Sequence, residues 1–533
     1  MSPSALASGA LAALGSGLLL AASFPRLGWG RLAWVALVPL LWAIDGERPA
    51  RVFRLGWLTG WAFFLVAFDW VPGTILRAAA PGAPVALLAL VLLAAVLGLT
   101  VGAFAAGVRF FEFRTGRDGL VLAVALWVAL EWCRSRFFLP CPWELLGYTQ
   151  VPVLRLVQAS DVTGIYGVSG LVVAVNGALA SACARRRGWR LRLAAVAGLW
   201  LASYTYGAIR LGDVHAAPAE TIVRVGLVQP AIDPTQKWDT ALREQTLDLQ
   251  ERLAREAVAN GADLVVWPEA SAPYVFASDD FYEGDPSRFA EDRRLRDRMT
   301  TFVKDLGVPL LFGAPALVAH PLGRGEAWSS LNRSFLLAPE GAFEAHYDKM
   351  ILVPFGEYVP ARSLLFFVDK LVPGVGDFVA GTEATLFPLG SARFAVLVCY
   401  EAIFPDFVRR FVDRGASLLV NQTNDAWFGD TSAPYEHLAE ASVRAIENRV
   451  PLVRVANTGI SAVVMPDGRV LGRMLLGERG VATVAVRVGR IAPTFYTRHG
   501  DVFAQASVLA AILMLLYAAW RVPEPTPALV GAA

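Results

Sequence analysis

The chain has 533 residues, of which 55% are apolar, and its 48 Lys and Arg nearly balance 46 Asp and Glu for a net charge of +2. That apolar share exceeds the usual range of a soluble domain. The near-neutral balance, with no basic stripe interleaved with aromatic residues, excludes nucleic acid as a partner.

The average conceals two unlike regions. Residues 1–210 read as membrane helices 1–7: Val85 to Val108 is 24 residues without a charge, and further apolar stretches cover roughly 5–22, 32–44, 55–68, 119–132, 166–183 and 193–209. About 20 apolar residues cross a hydrocarbon core, and shorter stretches need interfacial flanks, which Trp29, Trp34, Trp42, Trp57, Trp61 and Trp70 supply. An eighth apolar span, 502–520 within a C-terminal segment 491–521, precedes a Pro-containing tail at 522–533. Loops 45–55, 109–118 and 184–192 carry 3, 3 and 5 Lys or Arg, against 2, 1 and 3 in the loops between them. The excess marks the first set as cytoplasmic, with both termini inside and everything between span seven and span eight outside. A cleaved signal peptide is the alternative for span one, but no Lys or Arg precedes it. Glu131, near the end of span five, reads either as an intramembrane functional acid or, with Arg134 and Arg136 close by, as an interfacial ion pair, and the arginines favour the second.

After a linker at 211–221, residues 222–490 change character: charge rises, and apolar runs shorten to strand length between amphipathic helices. Strands are predicted at 222–228, 263–267, 308–312, 394–398 and 417–421, and helices at 240–260, 288–306, 405–414 and 437–448. Such alternation over this length predicts one α/β domain, with no internal repeat in the sequence. Cys133, Cys141 and Cys183 fall in the membrane half, which leaves Cys399 as the one thiol of this domain. A spare thiol in an oxidising compartment favours use over accident.

Cys399 ends the run Phe394-Ala-Val-Leu-Val-Cys-Tyr-Glu401. Asp263-Leu-Val-Val-Trp-Pro-Glu269 likewise ends a strand with a carboxylate, and Tyr347-Asp-Lys349 leads into Val353-Pro-Phe-Gly-Glu-Tyr-Val-Pro360. Side chains at the carboxyl ends of strands converge on one rim, so positions far apart in sequence can meet. The chemistry they could share is acyl transfer: a carboxylate takes the thiol proton, the thiolate attacks a carbonyl, and an ammonium faces the oxyanion. Singly, each has a plainer reading as a helix cap, a solvated charge or a small core residue.

Glu269, Lys349 and Cys399 in this order, set in Trp-Pro-Glu and Cys-Tyr-Glu, resemble the carbon–nitrogen hydrolase or nitrilase superfamily. With the flanking membrane helices, the chain resembles the apolipoprotein N-acyltransferase family within it. Gln236-Lys-Trp238, Leu352 to Pro360, Asn424-Asp-Ala-Trp-Phe-Gly429, Ala456-Asn-Thr-Gly-Ile460, Pro142-Trp143 and Gly147-Tyr148 carry the resemblance over roughly residues 10–520. It implies a multi-pass helical membrane domain joined to a nitrilase-like αββα sandwich. It further implies Cys399 as nucleophile, Glu269 as general base and Lys349 as stabiliser of the tetrahedral intermediate. Glu357 would hold Lys349 charged, and Tyr400 and Glu401 would support the nucleophile, the Tyr400 amide as a second oxyanion donor. Trp238, Asn332, Trp427 and Glu447 match positions implicated in substrate handling. The implied reaction moves an acyl chain from a phospholipid, by family analogy phosphatidylethanolamine, through an acyl-thioester to the N-terminal amine of a diacylated apolipoprotein. That is the last step of bacterial lipoprotein maturation, run by a monomer in the inner membrane with a periplasmic catalytic domain and no cofactor or metal.

The apolar segment 363–368 reads either as part of a lid over 360–381 that admits lipid tails or as a short buried helix. A membrane-anchored amidase with water as acceptor would use the same three residues, although eight spans exceed what an anchor needs. A transporter or scaffold whose outer domain only binds would not need them. The five histidines show no paired metal spacing, and neither a Gly-x-Ser-x-Gly elbow nor a phosphate loop occurs.

Overall fold

The structure, a computed structural model, describes residues 3–79, 82–137, 139–216, 221–285, 287–319, 328–360, 378–489 and 492–521. The proposed lid segment 363–368 and the tail 522–533 lie outside the described residues. The chain forms two compact units: Met1–Asp69, Leu87–Arg210 and Asp501–Ala533 make one, and Trp70–Ala86 with Leu211–Gly500 make the other.

Helices α1 (Pro3–Ser23), α2 (Val38–Ala43), α3 (Pro49–Ala67), α4 (Val71–Ala79), α5 (Ala83–Thr115), α6 (Leu120–Arg134), α7 (Ile165–Cys183) and α8 (Trp189–Ala216) cover the N-terminal apolar stretches, and Val502–Trp520 covers the last. Among the described residues α5, α7 and Val502–Trp520 are long and apolar enough to cross a membrane alone, and α3 with α4 make a fourth as a bent pair. The predicted second span is not one helix but a 3-10 turn, Gly30–Trp34, followed by α2. A break in an apolar segment frees backbone groups that lipid cannot satisfy. Two buried polar side chains satisfy them instead. Asn176 Nδ2 donates to Ala33 O (2.8 Å) while its Oδ1 accepts from Leu37 N (2.8 Å). Ser16 Oγ donates to Ala36 O (2.6 Å) and accepts from Leu40 N (2.9 Å).

The three basic loops meet at one end of this unit, where Arg186 pairs with Asp45 (2.7 Å) and Glu112 (2.5 Å), and Arg192 with Asp118 (3.3 Å). The expected ion pair at Glu131 is corrected. Arg136 pairs with Asp501, and Arg134 donates to Trp143 O (2.7 Å). Glu131 Oε1 instead accepts from Trp127 Nε1 (2.8 Å) and Leu146 N (2.7 Å), because the chain after α6 folds back and brings a bare amide to it. The predicted linker is helical through Ala216, since nothing in 211–216 interrupts α8. At the other end, residues 492–500 belong to the α/β unit and not to the last span.

The α/β unit holds two six-stranded mixed sheets. The first contains β1 (Thr221–Gln229), β2 (Leu264–Val266), β3 (Leu310–Ala319), β4 (Trp328–Leu337), β5 (Phe343–Asp348) and β12 (Gly480–Val488) in the order β12-β1-β2-β3-β4-β5. The second contains β6 (Leu386–Leu389), β7 (Ala392–Val398), β8 (Leu418–Thr423), β9 (Leu452–Ala456), β10 (Ala462–Val464) and β11 (Val470–Leu471), ordered β11-β10-β9-β8-β7-β6. In each sheet three strands are parallel: β1, β2, β3 and β7, β8, β9. Successive residues of a strand face opposite sides, so Val225 and Leu227 join the second sheet in one core, while Val228 packs with the helices Arg243–Ala259 and Ala290–Leu306 on the outer side. Helices Pro405–Asp413 and Ala433–Asn448 join the core of the second sheet through Val408, Phe411, Leu438 and Ala441. Two sheets face to face with helices outside are the expected αββα sandwich.

Candidate active site

The site forms where strands of both sheets end. After β2 the chain runs through buried Trp267, whose carbonyl accepts from Gln422 Nε2 of β8 at 2.6 Å, and then turns at Glu269. Ala270, at φ 46°, continues that turn against β3, where a Cβ on Gly313 would lie 2.4 Å from Ala270 N; only glycine fits there. Lys349 follows β5, and its backbone amide donates to Asn332 O of β4 (2.9 Å). Cys399 follows β7 at φ 52°, between the strand and a 3-10 turn, Cys399–Ile403. Backbone held in this region by a non-glycine residue costs roughly 1–3 kcal/mol and is maintained by its surroundings.

Those surroundings are specific. Cys399 O accepts from Asn421 Nδ2 (3.3 Å) and faces His437 Nε2 (3.2 Å). His437 Nδ1 lies 3.1 Å from Asp425 Oδ1, whose other oxygen accepts from Arg454 Nη2 at 2.6 Å. All three are buried. Burial opposes the Asp425 charge, but the Arg454 guanidinium and His437 hold its carboxyl well below the usual carboxylate range. Burial and Arg454 together push His437 down, and its Nδ1 also lies 3.1 Å from Arg454 Nη2. None of Asp425, His437 and Arg454 was singled out in the sequence, although an arginine inside the apolar run Leu452-Val-Arg-Val-Ala456 is a signal.

Glu269 and Lys349 meet, with Cys399 close enough to interact electrostatically with both. Lys349 Nζ is 2.9 Å from Glu357 Oε1 and 3.6 Å from Glu269 Oε1. Asn332 Nδ2 spans the two carboxylates, at 2.8 Å from Glu269 Oε1 and 3.2 Å from Glu357 Oε1. Glu269 Oε2 accepts no hydrogen bond among the described residues. Burial works against the Lys349 charge, yet the carboxylates of Glu357 and Glu269 hold the ammonium above its usual range. The thiol is pushed up to about 12 by burial and by Glu269, against the pull of Lys349. Cys399 is therefore a neutral thiol at rest and needs a base to attack.

Glu401 ties the nucleophile to the lysine strand. Its Oε1 accepts from Tyr347 Oη (2.7 Å), Met350 N (2.7 Å) and Ile351 N (3.1 Å), and its Oε2 from Val398 N (2.7 Å). Burial raises this carboxyl to about 7. The Tyr400 ring packs edge-on to Phe404. Trp238 is 48% exposed beside the site, and Trp427 O accepts from Thr74 Oγ1 (3.1 Å) and Arg77 Nη1 (2.9 Å) of α4. Glu447 is not at the triad: it is buried in Ala433–Asn448 and paired with Arg444 at 2.9 Å. A second lysine was missed. Lys237, inside Gln236-Lys-Trp238, is 3% exposed and donates to Glu269 O at 2.9 Å.

Fold and site define a carbon–nitrogen hydrolase-type domain carried on membrane helices. Residues 224–496 match the carbon-nitrogen hydrolase family, and residues 16–178 match the apolipoprotein N-acyltransferase N-terminal domain. The chain is 40% identical over 514 residues to the apolipoprotein N-acyltransferase of Geobacter metallireducens, covering 95% of this chain and 94% of that one. It is 32% identical over 540 residues to that of Chlorobaculum tepidum, covering 95% and 96%. An amidase of Nesterenkonia sp. is similar to the chain at 26% identity and a TM-score of 0.36, over 52% of this chain and 92% of that one. The chain thus belongs to the apolipoprotein N-acyltransferase family and is a membrane acyltransferase. The water-acceptor amidase and the binding-only protein are set aside with it.

Proposed function

We propose that the protein transfers an acyl chain from a phospholipid to the N-terminal amine of a diacylated lipoprotein through a thioester on Cys399. The observation that supports this best is the meeting of Glu269, Lys349 and Cys399 from three strand ends, with Glu269 Oε2 left free to take a proton. Glu269 removes the thiol proton as Sγ attacks the ester carbonyl, and Lys349 with the Tyr400 amide faces the oxyanion. The C–O bond breaks, Glu269 returns the proton to the leaving glycerol oxygen, and a lysophospholipid departs. The lipoprotein amine then attacks the thioester, Glu269 takes its proton, the C–S bond breaks, and the sulfur regains the proton. Glu357 keeps Lys349 aimed, and Asn332 holds the two carboxylates apart without neutralising either.

The arginine-rich end formed by loops 45–55, 109–118 and 184–192 supports the reading of that side as cytoplasmic, with both termini inside and the catalytic domain in the periplasm of the inner membrane. One chain supplies each group the reaction uses, which is compatible with a monomeric enzyme. Removing one oxyanion donor typically costs about 10²-fold to 10³-fold. Lys349→Ala in membranes should therefore lose lipopeptide acylation nearly as fully as Cys399→Ala, at unchanged protein level. A correctly inserted Lys349→Ala protein with near-normal turnover would overturn the assignment.

A further inference from the structure

Two lysines reach the site, and they differ in what neutralises them. Lys349 has the carboxylates of Glu357 and Glu269 at 2.9 and 3.6 Å. Lys237 ends the helical turn Pro234–Lys237 and is also buried, at 3% exposed. Among the described residues its ammonium has a single hydrogen-bond acceptor, the neutral Glu269 carbonyl at 2.9 Å, and it forms no ion pair. The Trp238 ring centroid lies 5.8 Å from Nζ. Taking an ammonium out of water without a counter-ion is costly. Burial lowers Lys237 to about 8, with the Glu269 carboxylate keeping it from falling further, so it is mainly charged at neutral pH.

A cation kept buried with unfilled donors beside a nucleophile is suited to an anion that arrives with the substrate. Of the groups that reach Cys399, the ester, the acyl chain and the lipoprotein amine bring no permanent negative charge. The phosphodiester of the donor does, and only the glycerol backbone separates it from the ester under attack. The developing oxyanion already has Lys349. We propose that Lys237 is the site's binding group for the phosphodiester of the acyl donor, setting the donor's register on Cys399. This rests on the reading of the donor as a phospholipid.

The test is the rate at which Cys399 gains acyl mass in the purified full chain, with phosphatidylethanolamine and separately with diacylglycerol, which lacks the phosphate. Lys237→Met, with Lys237→Gln as a second neutral variant, should slow acylation by phosphatidylethanolamine about 10-fold to 100-fold, the worth of a charge-assisted hydrogen bond. Acylation by diacylglycerol should stay within about 3-fold of the parent, which separates lost donor binding from lost chemistry. Lys237→Arg should restore most of the phospholipid rate. Equal loss on both donors would overturn the proposal in favour of a role at the oxyanion or the base, and no loss on either would overturn it outright. If the parent protein took acyl chains from diacylglycerol but not from the phospholipid, the donor reading itself would fall, and this inference with it.

Discussion

The two sheets of the catalytic unit have the same strand pattern and put it to different uses. Read from β12 the pairings run antiparallel, parallel, parallel, antiparallel, antiparallel, and read from β6 they run the same way. Strand β2 therefore corresponds to β8, and each is followed by a carboxylate: Glu269 after β2, Asp425 after β8. Asp425 is fully buried, its oxygens taken by Arg454, Thr423 and His437. Glu269 retains a free oxygen. One carboxylate is committed to holding the nucleophile's backbone and the other is left available for protons. What surrounds the strand end, and not its place in the fold, decides which a carboxylate becomes.

Substitutions at the two positions should separate these roles. Glu269→Gln keeps shape and loses the base, and general-base catalysis contributes about 10²-fold to 10⁴-fold. Acyl transfer should fall by that order while the thermal midpoint stays put. Asp425→Asn should do the reverse, leaving Arg454 buried without its partner at a cost of about 3–5 kcal/mol. Its midpoint should drop, and the activity it loses should follow the loss of folded protein and the loosening of Cys399. If Asp425→Asn were stable and inactive, Asp425 would belong to the chemistry and the contrast would fail.

Glu401→Gln tests the link between the sheets more mildly. One of its oxygens becomes an N–H group facing donors, which should cost about 1–3 kcal/mol. The folded carboxyl titrates near 7 against a reference of 4.5, so the folded state binds the proton more tightly. The stability this brings is present below pH 4.5 and lost as pH rises through 7. Thermal midpoints across that window should slope down in the parent protein and flatten in Glu401→Gln. Parallel slopes would remove Glu401 as the titrating group.

The sequence made Cys399, Glu269 and Lys349 legible because each closes a short apolar run, and a strand end aims its last side chain at the rim. It could not reveal the Asp425–His437–Arg454 support, whose members lie on different elements and meet only through the parallel pairing of β8 with β9. Strand β4 went unnamed because Asn332 and Arg333 interrupt its apolar pattern; both turn out to serve polar contacts, with Glu269 and with Asp348. Lys237 lies inside Gln236-Lys-Trp238, but burial is what makes it distinctive, and burial is not written in a local pattern. Glu131 misled because neighbours in sequence looked like partners, while the chain supplied an amide 15 residues on.

The most direct test of the thioester account is to incubate the purified protein with phosphatidylethanolamine alone and map the mass of the Cys399 peptide. The account predicts one acyl chain on Cys399, released by hydroxylamine, discharged quickly by a diacylated lipopeptide amine and slowly by water. An unmodified Cys399 in protein that still acylates the lipopeptide would contradict it.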